Sequence, residues 1–319
     1  MSFANGQIPN RVNANDFLVG QFEDFKNVFY EVKFGAREWR NIVPEASVDT
    51  SINPGATSTS YGVIERKGKG QFRGRYDDSV STVEIARDKN TVPIAVAGVA
   101  AVFDREDARQ IMMGFNSRLL TDLPVAMKES CEDHVEGVIM YGDGPLGFIP
   151  YLDYTGVPSS TAVNGAGGSS TWALKTAEEI VFDVNDAITS VWVDSKFIHL
   201  PDTVRIPGEQ FALLSTVLMS QAADKSLLEW LKANNIYTAR TGKPLNIVPL
   251  RYLDTAGSGG TPRMMVEEVD PEFQLVPFSI PFDLLPPQER GYASDLYAEY
   301  KFGSYHLRYP LSRRYVDGL

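Results

Sequence analysis

The chain has 319 residues, 43% of them apolar, and a formal net charge of −11. That composition belongs to a folded protein of one large or two ordinary domains, and the acidic balance argues against tight, general nucleic-acid binding. One cysteine permits no internal disulfide and suits a cytosolic setting, no apolar run reaches membrane-spanning length, and the first residues lack the pattern of a secretory signal.

Asn, Gly and Pro in the first 16 residues predict an extended arm. Phe17, Leu18, Phe22, Phe25, Val28, Phe29, Val32 and Phe34 follow, a segment expected to pack on its own core or on a neighbouring subunit. Residues 51–60, SINPGATSTS, have linker composition. From Tyr61 to Phe103 two strands are expected, near YGVIERKG and TVPIAVAGVAAVF. Between them, within residues 65–76, Arg66, Lys67, Lys69, Arg73 and Arg75 oppose Glu65 alone, a net charge of +4. This glycine-broken segment, with Phe72 and Tyr76, suits either single-stranded nucleic acid or an acidic protein surface, and the acidity of the whole chain favours the second.

The longest helical pattern runs from Asp104 to Gly142. Ala108, Ile111, Met112, Phe115 and Leu119 share one face; Leu123, Met127, Cys131, His134 and Val138 share another, about 120° away. Pro124 lies where the stripe turns, so a short helix followed by a long one from about Thr121 to Tyr141 is expected. The long one would span ~30 Å and stop at Gly142-Asp143-Gly144-Pro145. Glu129, Glu132, Asp133 and Glu136 line its opposite side. Four carboxylates in a row suggest a metal or acid/base site, but without a second ligand-rich motif a solvated face, or one meeting a basic partner, is favoured. His134 on the apolar side reads as a packed histidine.

After PLGFIPYLDYTGV comes the loop SSTAVNGAGGSST, a linker that lacks the Gly-Lys-Ser/Thr ending of a phosphate-cradling loop. Thr176 and Glu179 form a capping box for a helix with Ile180, Val184, Ala187, Ile188 and Val191 on its apolar face. HLPDTVRIP reads as a loop entering a short strand, 208–220 and 226–235 as helices, and LNIVPLRYL, PRMMVEEV, FQLVPFSIPF, YASDLYAEYKFG and YHLRYP as strands. Between Asp254 and Glu299 nine acids face two bases, a net charge of −7. Glu267, Glu268, Asp270 and Glu272 in this third are the expected acidic partner surface for the basic segment of another copy. There is no G-x-S-x-G, H-E-x-x-H, Cys/His cluster or G-x-G-x-x-G after a strand, so no catalytic, cofactor or metal site is expected.

The order of parts, with EDHVEGVIMYGD followed by GPLGFIPYLDYTGV, then HLPDTVRIP and the closing YKFGSYHLRYPLSRRYVDGL, resembles the major capsid protein of tailed double-stranded DNA phages. The resemblance implies the Hong Kong 97-type α+β fold and a structural role in an icosahedral shell of hexamers and pentamers. Residues 1–50 would be the N-terminal arm, 51–103 the extended loop, 104–200 the peripheral domain with its spine helix, 201–295 the axial domain and 296–319 closing strands of the peripheral domain. It also implies a portal, separate scaffold or decoration proteins, and packaged double-stranded DNA bound without sequence specificity. Any scaffold is expected to be a separate chain, since no long extension precedes the arm. Some relatives join a loop lysine to a neighbour's asparagine. Lys67 or Lys69 offers the lysine half, but Asn116, Asn164 and Asn185 do not resemble the acceptor site, so no covalent link is expected. The alternative is the shell of a cargo-loaded bacterial nanocompartment, and the third reading a soluble hydrolase or lectin.

Overall fold

The computed structural model describes residues 37–70, 72, 82–106, 109, 119–219 and 225–319. The aromatic segment 17–34, the apolar group Ala108 to Phe115, and Arg73, Arg75, Tyr76 and Asn116 lie outside them.

The described chain opens with helix α1 (Trp39–Ile42) and strand β1 (Val48–Asp49). These residues, expected to be arm, belong to the body: Trp39 is 2% exposed and stacks on Phe278, and β1 pairs in parallel with Val276 and Pro277. Two long strands, β2 (Ser58–Lys67) and β3 (Glu84–Asp104), pair antiparallel over ten residues from Ser58↔Pro93 to Lys67↔Glu84. β3 then continues along β10 (Ala293–Gly303), which pairs on its other side with β8 (Gln274–Leu284). β9 (Gln288–Arg290) pairs with β10 and β11 (His306–Leu307) with β8, so the sheet has seven strands.

Helix α2 (Leu119–Tyr141) is the spine. Among the described residues it extends from Leu119 and runs through Pro124. Its buried stripe is Met127, Cys131, Val135 and Ile139, spaced by four. Gly142 ends it at φ +70°, where a Cβ would come within 2.5 Å of the Phe148 carbonyl oxygen. The spine, α1, β8 and β10 enclose a first core around Trp39, Met140, Tyr151, Phe278, Phe302 and Tyr305.

A second sheet orders β4 (Ser159–Thr161), β12 (Arg313–Asp317), β7 (Arg263–Glu267), β5 (Thr203–Ile206) and β6 (Asn246–Pro249). Its helices are α3 (Ala177–Asp194), α4 (Gly208–Thr216) and α5 (Leu227–Ala233), with α6 (Ile236–Thr241) after them. Val204, Met264, Val266 and Val316 meet Ile180, Val184, Ile188, Leu214 and Leu231 in a second core. The expected domain limits cross these sheets. Helix α3, assigned to the peripheral part, packs on the second sheet; β8, assigned to the axial part, packs under the spine; β12, assigned to the peripheral part, pairs with β4 and β7. The reason is that the chain returns to each sheet late, through pairings distant in sequence.

Candidate inter-subunit surfaces

β7 is buried on both faces, and its odd-numbered residues point at the first core. Register places Arg263 opposite Asp317, Met265 opposite both Arg205 and Tyr315, and Glu267 opposite both Thr203 and Arg313. A charged layer therefore lies between the two cores. Arg205 Nε donates to Glu267 Oε1 at 2.6 Å, Arg313 Nη2 approaches Oε2 at 2.7 Å, and the Tyr151 hydroxyl donates at 2.9 Å. Arg263 pairs with Asp317 at 2.6 Å. Burial pushes the Glu267 carboxyl up, but Arg313, Arg205 and the Tyr151 hydrogen bond together hold it below its ordinary value.

Glu267 is thus no surface acid: it is 2% exposed and its charge is used inside the subunit. Buried ions persist only when paired and hydrogen-bonded, and two arginines from distant strands do this here. Glu268 pairs with His199 at 2.9 Å, and burial raises its pKa despite that histidine. Asp270 is half-buried and accepts from the Glu272 amide, and Glu272 is exposed. The expected acidic surface reduces to Glu268, Asp270 and Glu272.

In the carboxylate row of the spine three of the four acids meet a partner from this chain, although Asp133 stays exposed. Asp133 meets Arg37 at 2.8 Å, Glu132 accepts from Arg40 at 2.6 Å and from the Trp39 indole, and Glu136 accepts from Arg251 and Tyr252. The basic partner is the chain's own 37–40 segment together with Arg251. His134 lies against Tyr300 and Phe302, its Nδ1 2.9 Å from the Tyr300 hydroxyl. The glycine-rich loop is tied down by a carboxylate: Glu179 accepts from the Ala166 amide at 2.6 Å as well as from Thr176. No group of three metal-ligating side chains and no helix long and apolar enough to cross a membrane occurs among the described residues.

The β2–β3 ribbon is different in kind. Ten residue pairs extend ~34 Å, and from Gly62 to Lys67 and Glu84 to Thr91 every residue is exposed. Among its described residues only the root is seated on the body. Val92 is buried, Tyr61 stacks on His306, and the Tyr61 hydroxyl reaches Asp49. Arg66 and Lys67 lie on its first strand, Lys67 2.9 Å from Glu65, and Lys69 follows just beyond. Sequence reading located the basic segment but missed the cations of the returning strand, Arg87 and Lys89, and the acids beside them, Glu84 and Asp88. Alternation along that strand was the signal available.

Residues 68–319 match the family model described as Major capsid protein. Among solved structures the chain is similar to the capsid of Myoviridae Phage XM1, with a TM-score of 0.76 at 13% identity, covering 94% of this chain and 98% of that one. It is also similar to a structure from Gordonia phage Cozz (TM-score 0.59, 14% identity, 98% of each chain covered). A third, the capsid of the native GTA particle, has a TM-score of 0.60 at 13% identity and covers 97% of this chain and 98% of that one. At such identities the likeness is one of fold, the Hong Kong 97-type α+β fold. A search of curated proteins finds no match.

Proposed function

Because the chain belongs to the major capsid protein family, a family of structural proteins, we propose that it assembles into hexamers and pentamers that close into an icosahedral phage head around double-stranded DNA. Its role is to build, not to catalyse. The observation that carries the reading is the ribbon. A two-stranded hairpin exposed on both faces is marginal in water by itself, so the ribbon requires a partner surface outside its own subunit. A ribbon passed from each copy to the next repeats one contact around a ring, and closure of such rings gives a shell.

Within this reading the ribbon and its flanks (51–103) are the extended loop, and residues before Arg37 are the arm. The spine with the seven-stranded sheet serves as the peripheral part, and the five-stranded sheet with α3 to α6 as the axial part. Arg66, Lys69, Arg73 and Arg75 meet the neighbour, Lys67 being held by Glu65 within the ribbon, and Glu268, Asp270 and Glu272 supply acid to receive them. A net charge of −11 suits enclosure of DNA without adhesion to it. A portal, a separate scaffold and decoration proteins are the further partners, and assembly takes place in the host cytoplasm. The test is electron microscopy and size exclusion of the purified protein, with and without scaffold. Shells or rings are expected; a monomer at high concentration in every salt condition would overturn the proposal.

A further inference from the structure

The ribbon has two chemically different faces. In an antiparallel pair, residues directly opposite share a face, as the Ser60 and Thr91 hydroxyls do at 3.2 Å. One face therefore carries Tyr61 with Asn90, Val63 with Asp88, Glu65 with Ala86 and Lys67 with Glu84. Its acids outnumber its single lysine, and that lysine is paired with Glu65. This is also the face that Tyr61 seats on the subunit's own His306.

The other face carries Gly62 with Lys89, Ile64 with Arg87 and Arg66 with Ile85. Three cations stand here with no acid among them, and among the described residues no acid pairs with Arg66, Arg87 or Lys89. Ile64 is 60% and Ile85 59% exposed, and Val83, whose side chain lies against Gly68, is 71% exposed. Exposed branched aliphatics at this density, rimmed by charge of one sign, mark a surface made to be covered.

We infer that this cationic, aliphatic face is the one that docks, and that its occupant is a second copy of this chain. The inference rests on the assembly reading above and deepens it by choosing the face. The chain supplies the complementary charge, since 41 acids stand against 30 bases. Nucleic acid is the poorer partner: the paired residues of this face, Gly62 to Arg66 with Ile85 to Lys89, include no aromatic side chain on which a base would stack, and the isoleucines need a dry apolar counterpart. The other face keeps its acids toward solvent or its own subunit, where an acidic neighbour would repel them.

Two pairs of variants test the choice. Arg66→Glu/Arg87→Glu/Lys89→Glu reverses the docking face, and Glu65→Lys/Glu84→Lys/Asp88→Lys reverses the other. Ile64→Ser/Ile85→Ser and Val63→Ser/Ala86→Ser repeat the comparison without changing charge. Each is followed by light scattering, electron microscopy and a circular-dichroism melt. All four are expected to keep the wild-type melt, because every substituted side chain is exposed. Assembly should be lost in the two docking-face variants and retained in the other two. Loss in the opposite-face variants, equal loss in both, or loss in neither overturns the choice of face while the wild type still assembles. Unchanged shells that no longer retain DNA in the Arg/Lys variant also overturn it, in favour of a nucleic-acid contact. Failure of the wild type itself to assemble instead overturns the assembly reading on which the inference stands.

Discussion

Glu267 shows how far a residue's role departs from its local sequence. PRMMVEEV reads as a strand ending in surface acids, yet Glu267 lies in a charged layer between two cores. Its arginines come from positions 205 and 313, which no local pattern links to it. Removing the one anion leaves two buried guanidinium groups opposed to each other. Glu267→Gln should therefore cost about 3–5 kcal/mol in chemical denaturation, whereas replacing Arg205, Glu267 and Arg313 together by apolar residues should cost far less. The pH dependence follows from the depressed carboxyl. The stability it contributes is fully present above the unfolded-chain value of ~4.3 and is lost as pH falls through the lower folded value. Denaturation midpoints in acid should thus fall in the wild type through an interval where Glu267→Gln changes less. Cys131 gives a simpler expectation. Burial, with Glu132 nearby, pushes its thiol up to about 12, so a maleimide at pH 8 should label it only after unfolding. Rapid labelling of the native protein would contradict its place in the core.

Among the elements, those that carry their own boundary signals were the ones legible in the sequence. The capping box at Thr176 is formed by both of its hydrogen bonds, and Gly142 stops the spine in the left-handed conformation. Thr176→Ala should cost about 1 kcal/mol in denaturant, and Thr176→Ser much less, because the hydroxyl acceptor is what the helix end needs. An equal loss in both variants would place the cost in the methyl group instead. Helix α6 was missed because Asn234-Asn235 reads as a stop. Asn235 in fact caps the following turn, accepting from the Thr238 amide at 2.8 Å while donating back to Leu231. Strand β12 had no strand pattern of its own and was expected only through the resemblance, because LSRRYVDGL is too charged to look buried; Arg313 is buried because β7 brings Glu267 to it, and β12's own Asp317 because β7 brings Arg263. The ribbon was legible as a hairpin, but the +4 count over residues 65–76 hid its sidedness. The registered partners of β2 decide which charges share a face, and register is set by pairing rather than composition.

At the scale of the whole molecule, the order of elements identified the fold better than any motif, because no single stretch of this chain is specific, whereas the spine, the ribbon and the two sheets follow one another in one order. The positions of the sheets were less legible, since β8, β10 and β12 return to them from late in the chain. The same geometry bears on what holds a shell together. Lysine–asparagine linkage needs an uncharged amine beside an amide in a water-poor pocket, and a free lysine is protonated at neutral pH. Lys67 is exposed and paired with Glu65, Asn164 is exposed in the glycine-rich loop, and Asn185 donates to the Val181 carbonyl within α3. None of these surroundings desolvates an amine or activates an amide. Contacts between copies should then be wholly noncovalent, and their ionic part should weaken with salt as screening shortens its reach to about 3 Å at 1 M. Particles boiled in detergent and reductant should give a single band near 35.3 kDa. Intact particles moved to molar salt should release subunits more readily than at low salt. A persistent ladder of multimers containing a Lys–Asn isopeptide would show that a neighbouring copy completes a site that no single subunit contains.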